Sequence, residues 1–164
     1  MTDNERLAEL LFPNISWTPQ QYEEQYPARQ LPEGARVTRF SPSPTGYLHI
    51  GGLFAAMTAR LTAKATNGVF FLRIEDTDKK REVEGGVTAI VTGLAAFGIT
   101  PDEGITGLGT ESGVYGPYQQ SKRREIYQCF AKELVRQGLA YPCFCTEAEL
   151  TALREQQEAQ AVNK

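Results

Sequence analysis

The residues best suited to chemistry lie in one segment, Arg39–Gly52, with the sequence RFSPSPTGYLHIGG. It begins within a short apolar strand predicted at Val37–Phe40 and contains two prolines and a glycine before an alanine-rich stretch that begins near His49, the only histidine of the chain. Proline fixes the backbone angle φ, so this turn is stiff before any ligand arrives. A rigid turn between a strand and a helix N-terminus binds phosphates in many α/β proteins, because backbone N–H groups and the helix dipole favour anions. The segment therefore predicts a nucleotide-phosphate site.

Three glycines and the histidine of this segment also favour a nucleotide-phosphate site. Gly46, Gly51 and Gly52 allow a bulky ligand to approach the main chain closely. His49 at the helix entrance can donate a hydrogen bond to a phosphate oxygen whose charge grows during phosphoryl or nucleotidyl transfer. The alternative is a histidine that only caps a helix, and the proline-rich turn before it favours the ligand-binding interpretation.

A second polar motif, Arg73–Asp78, has the sequence RIEDTD and follows an apolar run. A solvated strand end with local salt bridges is the alternative to a binding site here. Asp76 and Asp78 are two residues apart, a spacing at which carboxylates can hold Mg²⁺. They can equally orient their neighbours or cap the next helix, and we predict no dedicated magnesium site.

Two cysteines, Cys143 and Cys145, are also two residues apart. In the strand predicted at Tyr141–Cys145 both sulfurs would point the same way and could reach one metal ion. Zinc commonly needs four ligands, and the chain supplies no second pair nearby. Half of a zinc site and two reduced thiols are both open, while Cys129 is predicted to lie in the core.

The basic residues near an aromatic side chain lie in the segment Gly116–Arg124. Ser121 is predicted to begin a helix, and the adjacent cations Lys122 and Arg123 could meet a phosphate backbone. The alternative is an ordinary capped helix with a solvated face. The same two interpretations hold for the basic run that ends at Arg81.

Composition limits the classes of protein that fit. The chain has 164 residues, 41% of them hydrophobic, a formal net charge of −3 and a pI near 5.3, so contact with a polyanion must come from a local patch. The three cysteines, an odd number, argue against a disulfide framework and for a reducing compartment. No apolar run approaches the roughly 18 residues of a membrane span. A cytoplasmic protein without membrane contact is expected.

The hydrophobic pattern alternates between strand and helix. We predict a first strand at Ala35–Phe40, a helix from about His49 to Thr66, a second strand at Val69–Ile74 covered on both faces, and a helix over Val87–Phe97. This order favours an α/β fold with a parallel sheet and right-handed crossovers. Residues 99–119 are predicted to be a long irregular connection.

The two ends of the chain differ from this central part. Residues 1–34 are predicted to be a helical N-terminal appendage, with one helix stopped at Pro13 and another begun by the capping box at Thr18. Thr146 and Glu149 form a second capping box, at the start of a helix that has little apolar face. Such a helix usually needs a partner, so we expect the chain to be the front part of a longer protein.

The Arg39–Gly52 segment resembles the nucleotide-binding signature of class I aminoacyl-tRNA synthetases, the His-Ile-Gly-His pattern, with Gly52 in place of the last histidine. Together with Arg73–Asp78 it is similar to the glutamyl-tRNA synthetase family. The resemblance covers roughly residues 35–150 and implies the first half of a Rossmann-like doubly wound parallel sheet. It divides the chain into an appendage (1–34), a Rossmann-like catalytic half-domain (35–138) and the truncated start of an inserted acceptor-binding, zinc-binding domain (139–164).

The resemblance also implies residue roles. Residues for the substrate glutamate are Arg39, whose planar fork pairs with the side-chain carboxylate, Ser41 and Ser43 in the same pocket, and Glu75 for the α-ammonium group. Residues for ATP are Thr45, Gly46, His49, Gly51 and Gly52, of which His49 and Gly51 are the catalytic candidates. Residues facing the tRNA acceptor end are Arg81, Ser121, Lys122 and Arg123. Mg²⁺ would arrive with ATP, and Cys143 and Cys145 would be half of a zinc site, with possible Zn²⁺ completed by partners beyond Lys164.

The reaction implied is ATP-dependent activation of L-glutamate to glutamyl-adenylate and transfer to the 3′ end of glutamate tRNA, by a parent protein expected to be monomeric. The family's second signature, a Lys-Met-Ser-Lys-Ser-type loop, is absent, so the fragment is expected to be inactive alone. Two alternatives stay open. One is the shortened paralogue that glutamylates a modified tRNA base (glutamyl-queuosine tRNA(Asp) synthetase-like), and the other is a non-catalytic nucleotide-binding domain.

Overall fold

A four-stranded sheet forms the centre of the chain, in a computed structural model that describes residues 1–162. The strands lie in the order β1-β2-β3-β4, with β1 parallel to β2, β2 parallel to β3, and β4 antiparallel to β3. Their bounds are Val37–Phe40, Val69–Leu72, Glu103–Gly107 and Thr110–Ser112. The parallel pairs require crossover connections, and helices supply them.

Six α-helices accompany the strands within the described residues: α1 (Asp3–Leu11), α2 (Pro19–Gln25), α3 (Ile50–Ala65), α4 (Gly86–Ala96), α5 (Arg124–Arg136) and α6 (Glu147–Val162). The crossovers of the parallel strands are α3, between β1 and β2, and α4, between β2 and β3. This order confirms the mixed α/β fold predicted from the hydrophobic pattern. The predicted capping boxes at Thr18 and Thr146 are also present, with each backbone N–H three residues on donating to the threonine hydroxyl.

The core lies on the helix-covered side of the sheet. Phe70 and Leu72 of β2 are fully buried, and they pack with Ile90 and Leu94 of α4 and with Ala56 of α3. Burial of this apolar surface is the main force that holds the helices on the sheet. The alternate residues of β2 are half-buried, and Phe71 among them packs against Tyr118, so the second face of β2 is covered in part and not fully.

A β-hairpin occupies the region predicted to be irregular. β3 and β4 lie within residues 99–119, and β3 pairs with β2 through Leu72 and Gly104. Gly104 has a φ of +117°, and a Cβ atom there would lie 2.1 Å from the Leu72 carbonyl oxygen. Glycine is thus required for the strand to pass this close to β2, although its presence in the sequence suggested a loop.

The predicted strand at Tyr141–Cys145 is wrong. The segment has no regular secondary structure, and Tyr141, Cys143 and Cys145 are exposed. A strand is stable only where a neighbour accepts and donates its backbone hydrogen bonds, and no strand among residues 1–162 pairs with this segment.

Packing divides the described chain into two units. The first contains residues 1–13 and the chain from residue 131 onward, and the second contains residues 14–130 with the whole sheet. In the first unit Lys132 Nζ donates to Glu9 at 2.9 Å, and Ala8 and Val135 are buried. The domain boundaries predicted at residues 34 and 138 stay predictions, since they follow a resemblance rather than packing.

Candidate functional site

The proline-rich turn after β1 is hydrogen-bonded to the segment after β2. The Phe40 carbonyl accepts from Arg73 N at 3.0 Å, the Pro42 carbonyl from Glu75 N at 3.0 Å, and the Pro44 carbonyl from Val83 N at 2.9 Å. The prolines lack an N–H of their own but retain the acceptor. The two motifs of the sequence are therefore held side by side at the carboxyl ends of neighbouring parallel strands, which is the usual place for a ligand site in such a sheet.

His49 forms the N-cap of α3, as one of the two interpretations of the sequence predicts. Its Nδ1 atom accepts a hydrogen bond from Gly51 N at 3.2 Å. With Nδ1 as acceptor, the neutral ring carries its proton on Nε2, which can donate to a ligand. A Cβ on residue 51 would lie 3.0 Å from the imidazole ring, so Gly51 gives His49 the space for this position.

A cavity of about 310 Å³ lies beside this helix start. Residues predicted to bind ATP or substrate line part of it, namely Ser43, Thr45, Gly46, His49 and Gly52. Its apolar walls come from Phe40, Leu48 and Ile90. Hydroxyl groups and apolar side chains in one lining suit a ligand that has both a polar and an apolar part.

Arg39 and Glu75 approach each other outside this cavity. The distance from Arg39 Nη2 to Glu75 Oε1 is 4.0 Å, and Pro42 connects the pair to the turn through the hydrogen bond from Glu75 N. The structure therefore brings the predicted guanidinium and carboxylate together, but neither lines the cavity beside His49. Ser41, predicted for the same pocket, is half-buried and also does not line it.

Arg73 is a member of this group that the sequence did not single out. Its Nη2 atom lies 3.0 Å from Glu75 Oε1, so Glu75 faces two guanidinium groups, and one positive charge among the three residues is not neutralised. A carboxylate ligand is favoured by this excess. The i, i+2 spacing of Arg73 and Glu75 in an extended segment was the available signal, because it places both on one side.

Asp76 orients its neighbours, which was one of the two interpretations. The residue as a whole is 1% exposed. Its carboxylate accepts from Ser121 N at 2.8 Å, Ser121 Oγ at 2.6 Å, Gln119 Nε2 at 2.8 Å and Lys79 Nζ at 3.0 Å. Burial opposes the charge, but hydrogen bonds from Ser121, Lys79 and Gln119 outweigh it and hold the pKa of Asp76 well below its usual range. Asp78 lies nearby and pairs with Arg81, whose Nε is 2.6 Å from it.

The predicted tRNA-contact residues differ in exposure. Ser121 does not cap a helix as predicted, because its hydroxyl donates to Asp76 and residues Gln120–Arg123 form a 3-10 turn before α5. Arg123 is half-buried, and its Nη1 atom donates to the Pro117 carbonyl at 2.8 Å. Lys122 and Arg81 are exposed and are better placed to meet a polyanion.

The two cysteines do not make a complete zinc site with the described residues. Cys143 and Cys145 are exposed, and hydrogen bonds from the backbone and thiol of Cys145 lower the pKa of Cys143. Among residues 1–162, no three or more His, Cys, Asp or Glu side chains are grouped so that they could hold a metal ion. Two thiolates alone do not fit the four ligands that zinc requires.

An ion-pair cluster next to the sheet was not anticipated from the sequence. Arg29 forms a two-pronged ion pair with Glu103, with Nη2 2.6 Å from Oε2, and its guanidinium lies 3.8 Å above the Tyr115 ring. Tyr118 donates its hydroxyl to Glu103 at 2.7 Å. These partners lie up to 89 residues apart, and no local pattern joins them.

No helix among the described residues is both long enough and apolar enough to cross a membrane.

Comparison with known proteins places this geometry in a family. The chain is 55% identical over 156 residues to the glutamate–tRNA ligase of Clostridium perfringens (strain 13), covering 95% of this chain and 29% of the relative. It is 52% identical over 162 residues to that of Acetivibrio thermocellus, covering 98% and 30%. The chain thus spans less than a third of the length of these curated relatives.

Solved structures agree with the sequence comparison. A crystal structure of glutamate–tRNA synthetase from Elizabethkingia anophelis superposes with a TM-score of 0.67 at 43% identity, covering 79% of this chain and 25% of that one. A glutamate tRNA ligase from Elizabethkingia meningosepticum in complex with its amino acid gives a TM-score of 0.66. Residues 36–164 match the family described as tRNA synthetases class I (E and Q), catalytic domain. This match covers most of the chain, including both polar motifs, and the chain belongs to that family.

Proposed function

We propose that this chain is part of an enzyme that activates L-glutamate with ATP and transfers the glutamyl group to glutamate tRNA. The observation that carries the proposal is the pairing of Arg39 and Glu75 at the carboxyl ends of two parallel strands, beside the turn that leads to His49. Relatives at 52–55% identity named glutamate–tRNA ligase support it. They favour it over the queuosine-related paralogue and over a non-catalytic nucleotide-binding domain.

Arg39 and Glu75 would recognise the two ends of the amino acid. Arg39, with its side chain 42% exposed, presents a planar donor fork to the side-chain carboxylate of glutamate, and Glu75 accepts the α-ammonium group. Ser41 and Ser43 offer further hydrogen bonds to the substrate. Glutamine would leave the guanidinium without a counter-charge, and this unpaired charge disfavours it.

The cavity beside His49 would hold part of ATP. Thr45 and Gly46 lie in its turn, and Gly52 and the imidazole lie at the helix start, where anions are favoured. The His49 Nε2–H would donate to a phosphate oxygen as negative charge develops there. Gly51 acts through His49, since its backbone N–H fixes the ring. Mg²⁺ is expected to accompany ATP, as class I synthetases generally use it.

The chemistry has two displacement steps. An oxygen of the glutamate α-carboxylate forms a bond to the α-phosphorus of ATP, and the bond from that phosphorus to pyrophosphate breaks. A hydroxyl of the terminal tRNA ribose then forms a bond to the glutamyl carbonyl carbon and releases its proton to solvent, and the bond from that carbon to the bridging oxygen breaks, so that AMP leaves with the oxygen. The protein contributes position and charge stabilisation and forms no covalent intermediate.

The tRNA acceptor end would meet the exposed cations Lys122 and Arg81, with Ser121 and Arg123 shaping the turn between them and the sheet. We further propose that the protein is cytoplasmic and that the parent protein is monomeric, as expected in the sequence analysis. A zinc ion held by Cys143 and Cys145 would need ligands other than those among the described residues.

Calorimetry with a non-hydrolysable glutamyl-adenylate mimic tests the proposal. We expect the chain to bind this mimic roughly tenfold or more tightly than the glutaminyl counterpart, because the bound ligand covers the Arg39 guanidinium and the glutaminyl group leaves it without a counter-charge, at a cost of about 1–3 kcal/mol. Arg39→Ala should remove the preference. Arg36→Ala, at an exposed arginine three residues earlier, is the matched control and should keep it. Equal affinity for the two mimics would refute the assignment of the pocket.

A further inference from the structure

Asp76 is the most completely buried charged side chain among the described residues, and the proposed reaction does not use it. Its side chain has no exposed surface, so neither a substrate nor a solvent molecule can reach the carboxylate. Four hydrogen bonds reach its two oxygens, and two of the four come from Ser121. A buried carboxylate with this many donors fixes the segments that supply them.

The segments on either side of Asp76 run next to each other. Ile74 N donates to the Tyr118 carbonyl at 3.0 Å, and Gln120 N donates to the Ile74 carbonyl at 2.9 Å, which makes a parallel bridge between Ile74 and Gln119. This bridge and the Asp76 hydrogen bonds together join residues 74–76 to residues 118–121. The second of these segments leads directly into the 3-10 turn Gln120–Arg123, which contains the basic residues Lys122 and Arg123.

Glu75 lies between Ile74 and Asp76, which are both fixed. In an extended chain successive side chains point to opposite sides. The burial pattern agrees, because Ile74 and Asp76 are buried while Glu75 is 30% exposed on the side of Arg39. The direction of Glu75 therefore depends on the anchoring of its two neighbours.

We propose that Asp76 is a positioning residue, which holds Glu75 in its direction toward the amino-acid site through its hydrogen bonds to Ser121. The inference rests on the proposed function in one respect, since the ligand that reports on Glu75 is the glutamyl-adenylate mimic. Asp76 has a carboxylate because only an acceptor with two oxygens can satisfy two side-chain amide or ammonium donors and both donors of Ser121 at once.

Two variants at opposite ends of these hydrogen bonds test the proposal. Ser121→Ala removes one donor from a residue 45 positions away from Asp76 in sequence, and Asp76→Asn removes the charge without changing the size of the side chain. Ser121→Thr retains the hydroxyl and is the rescue variant. Ser112→Ala, at an exposed serine of β4, is the matched control.

Amide hydrogen exchange on the ligand-free chain is the first measurement. The Glu75 amide donates to Pro42 and the Gln120 amide to Ile74, so both report whether the segments stay joined. We expect exchange at these two amides to accelerate about tenfold in Ser121→Ala and in Asp76→Asn. Exchange at Ile99, whose amide donates to Leu94 in the core, should not change. Acceleration at all three would show a general loss of stability and would overturn the proposal.

Affinity for the mimic is the second measurement. Ser121→Ala should weaken binding about tenfold although no hydrogen bond joins Ser121 to Glu75, Ser121→Thr should restore the affinity, and Ser112→Ala should not alter it. Unchanged affinity in Ser121→Ala would refute the positioning role. If the unaltered chain bound no mimic, the proposed function would fail for this chain, and the exchange rates at Glu75 would decide the role of Asp76 on their own.

Discussion

Replacing Glu103 by glutamine should destabilise the sheet-bearing unit of the chain strongly for a single-atom change. The Glu103 side chain is 16% exposed and the Arg29 side chain 17%, and the carboxylate also accepts from the Tyr118 hydroxyl at 2.7 Å. Hydrogen bonds to a charged group contribute about 1.5–3 kcal/mol each, and removing one partner leaves the other charge poorly solvated. Because both side chains keep some exposure to solvent, we expect Glu103→Gln to lower the free energy of unfolding by roughly 2–3 kcal/mol.

The pH dependence of this loss has a definite sign. Hydrogen bonds from Arg29, opposed by burial and assisted by Tyr118, hold the pKa of Glu103 below its ordinary value. A carboxyl group with a lowered folded-state pKa contributes its full stability above the unfolded pKa, about 4.3, and loses it as pH falls through the folded pKa. The difference between the unaltered chain and Glu103→Gln should therefore be largest near pH 7 and should shrink below about pH 4.

Urea and thermal unfolding, each monitored by circular dichroism at pH 7 and below about pH 4, measure this effect. At pH 7 the melting temperature of Glu103→Gln should fall by about 10 °C, since about 4 °C accompany each kcal/mol in a chain of this size. Glu24→Gln, which alters an exposed carboxylate on α2 that accepts from Gln20, is the control and should change stability by less than about 0.5 kcal/mol. Equal stabilities of the two variants, or a difference that grows on acidification, would refute this account of the cluster.

Three further changes have expected outcomes. Gly86→Ala should destabilise the chain by about 1–3 kcal/mol in urea unfolding, because the new Cβ would lie 2.9 Å from the Pro44 carbonyl oxygen; a neutral result would mean that the turn yields easily. Thr146→Ala removes the cap of α6 (Glu147–Val162) and should speed amide exchange in its first turn, and unaltered exchange there would contradict the role of the cap. Burial raises the pKa of Tyr118 to about 12. A spectrophotometric titration of the tyrosine hydroxyls should therefore lose its step at the highest pH in Tyr118→Phe, and an unchanged titration curve would contradict this pKa shift.

The elements that the sequence predicts correctly are those with a local signal. The helix α3 begins directly after His49 and ends before Asn67, which has a positive φ of 51°, as the capping histidine and the Asn-Gly pair indicate. The helix α4 likewise ends before Gly98, with a φ of +66°. In each case the residues that stop the helix are adjacent to it in sequence, so the pattern contains the information.

What the sequence could not predict depends on distant partners. β3 was missed because glycine weakens the strand pattern, and the reason for Gly104 is the Leu72 carbonyl 32 residues away. The partnership of Asp76 with Ser121 likewise becomes visible only when the bridge at Ile74 brings the segments together. The candidate site was predictable as two motifs, whereas the separation of the Arg39–Glu75 pair from the His49 cavity required coordinates.

The backbone hydrogen bonds from Arg73, Glu75 and Val83 to the carbonyls of residues 40, 42 and 44 make the two polar motifs one mechanical unit. Because every donor and acceptor in this set is a main-chain group, a chimera that exchanges one motif keeps the bonds only if its backbone follows the same path. A substitution that shifts the backbone of one motif would then move the other motif as well. A laboratory selection that randomised residues 41–46 would retain the bonds chiefly in variants that keep Pro42 and Pro44, which fix the turn.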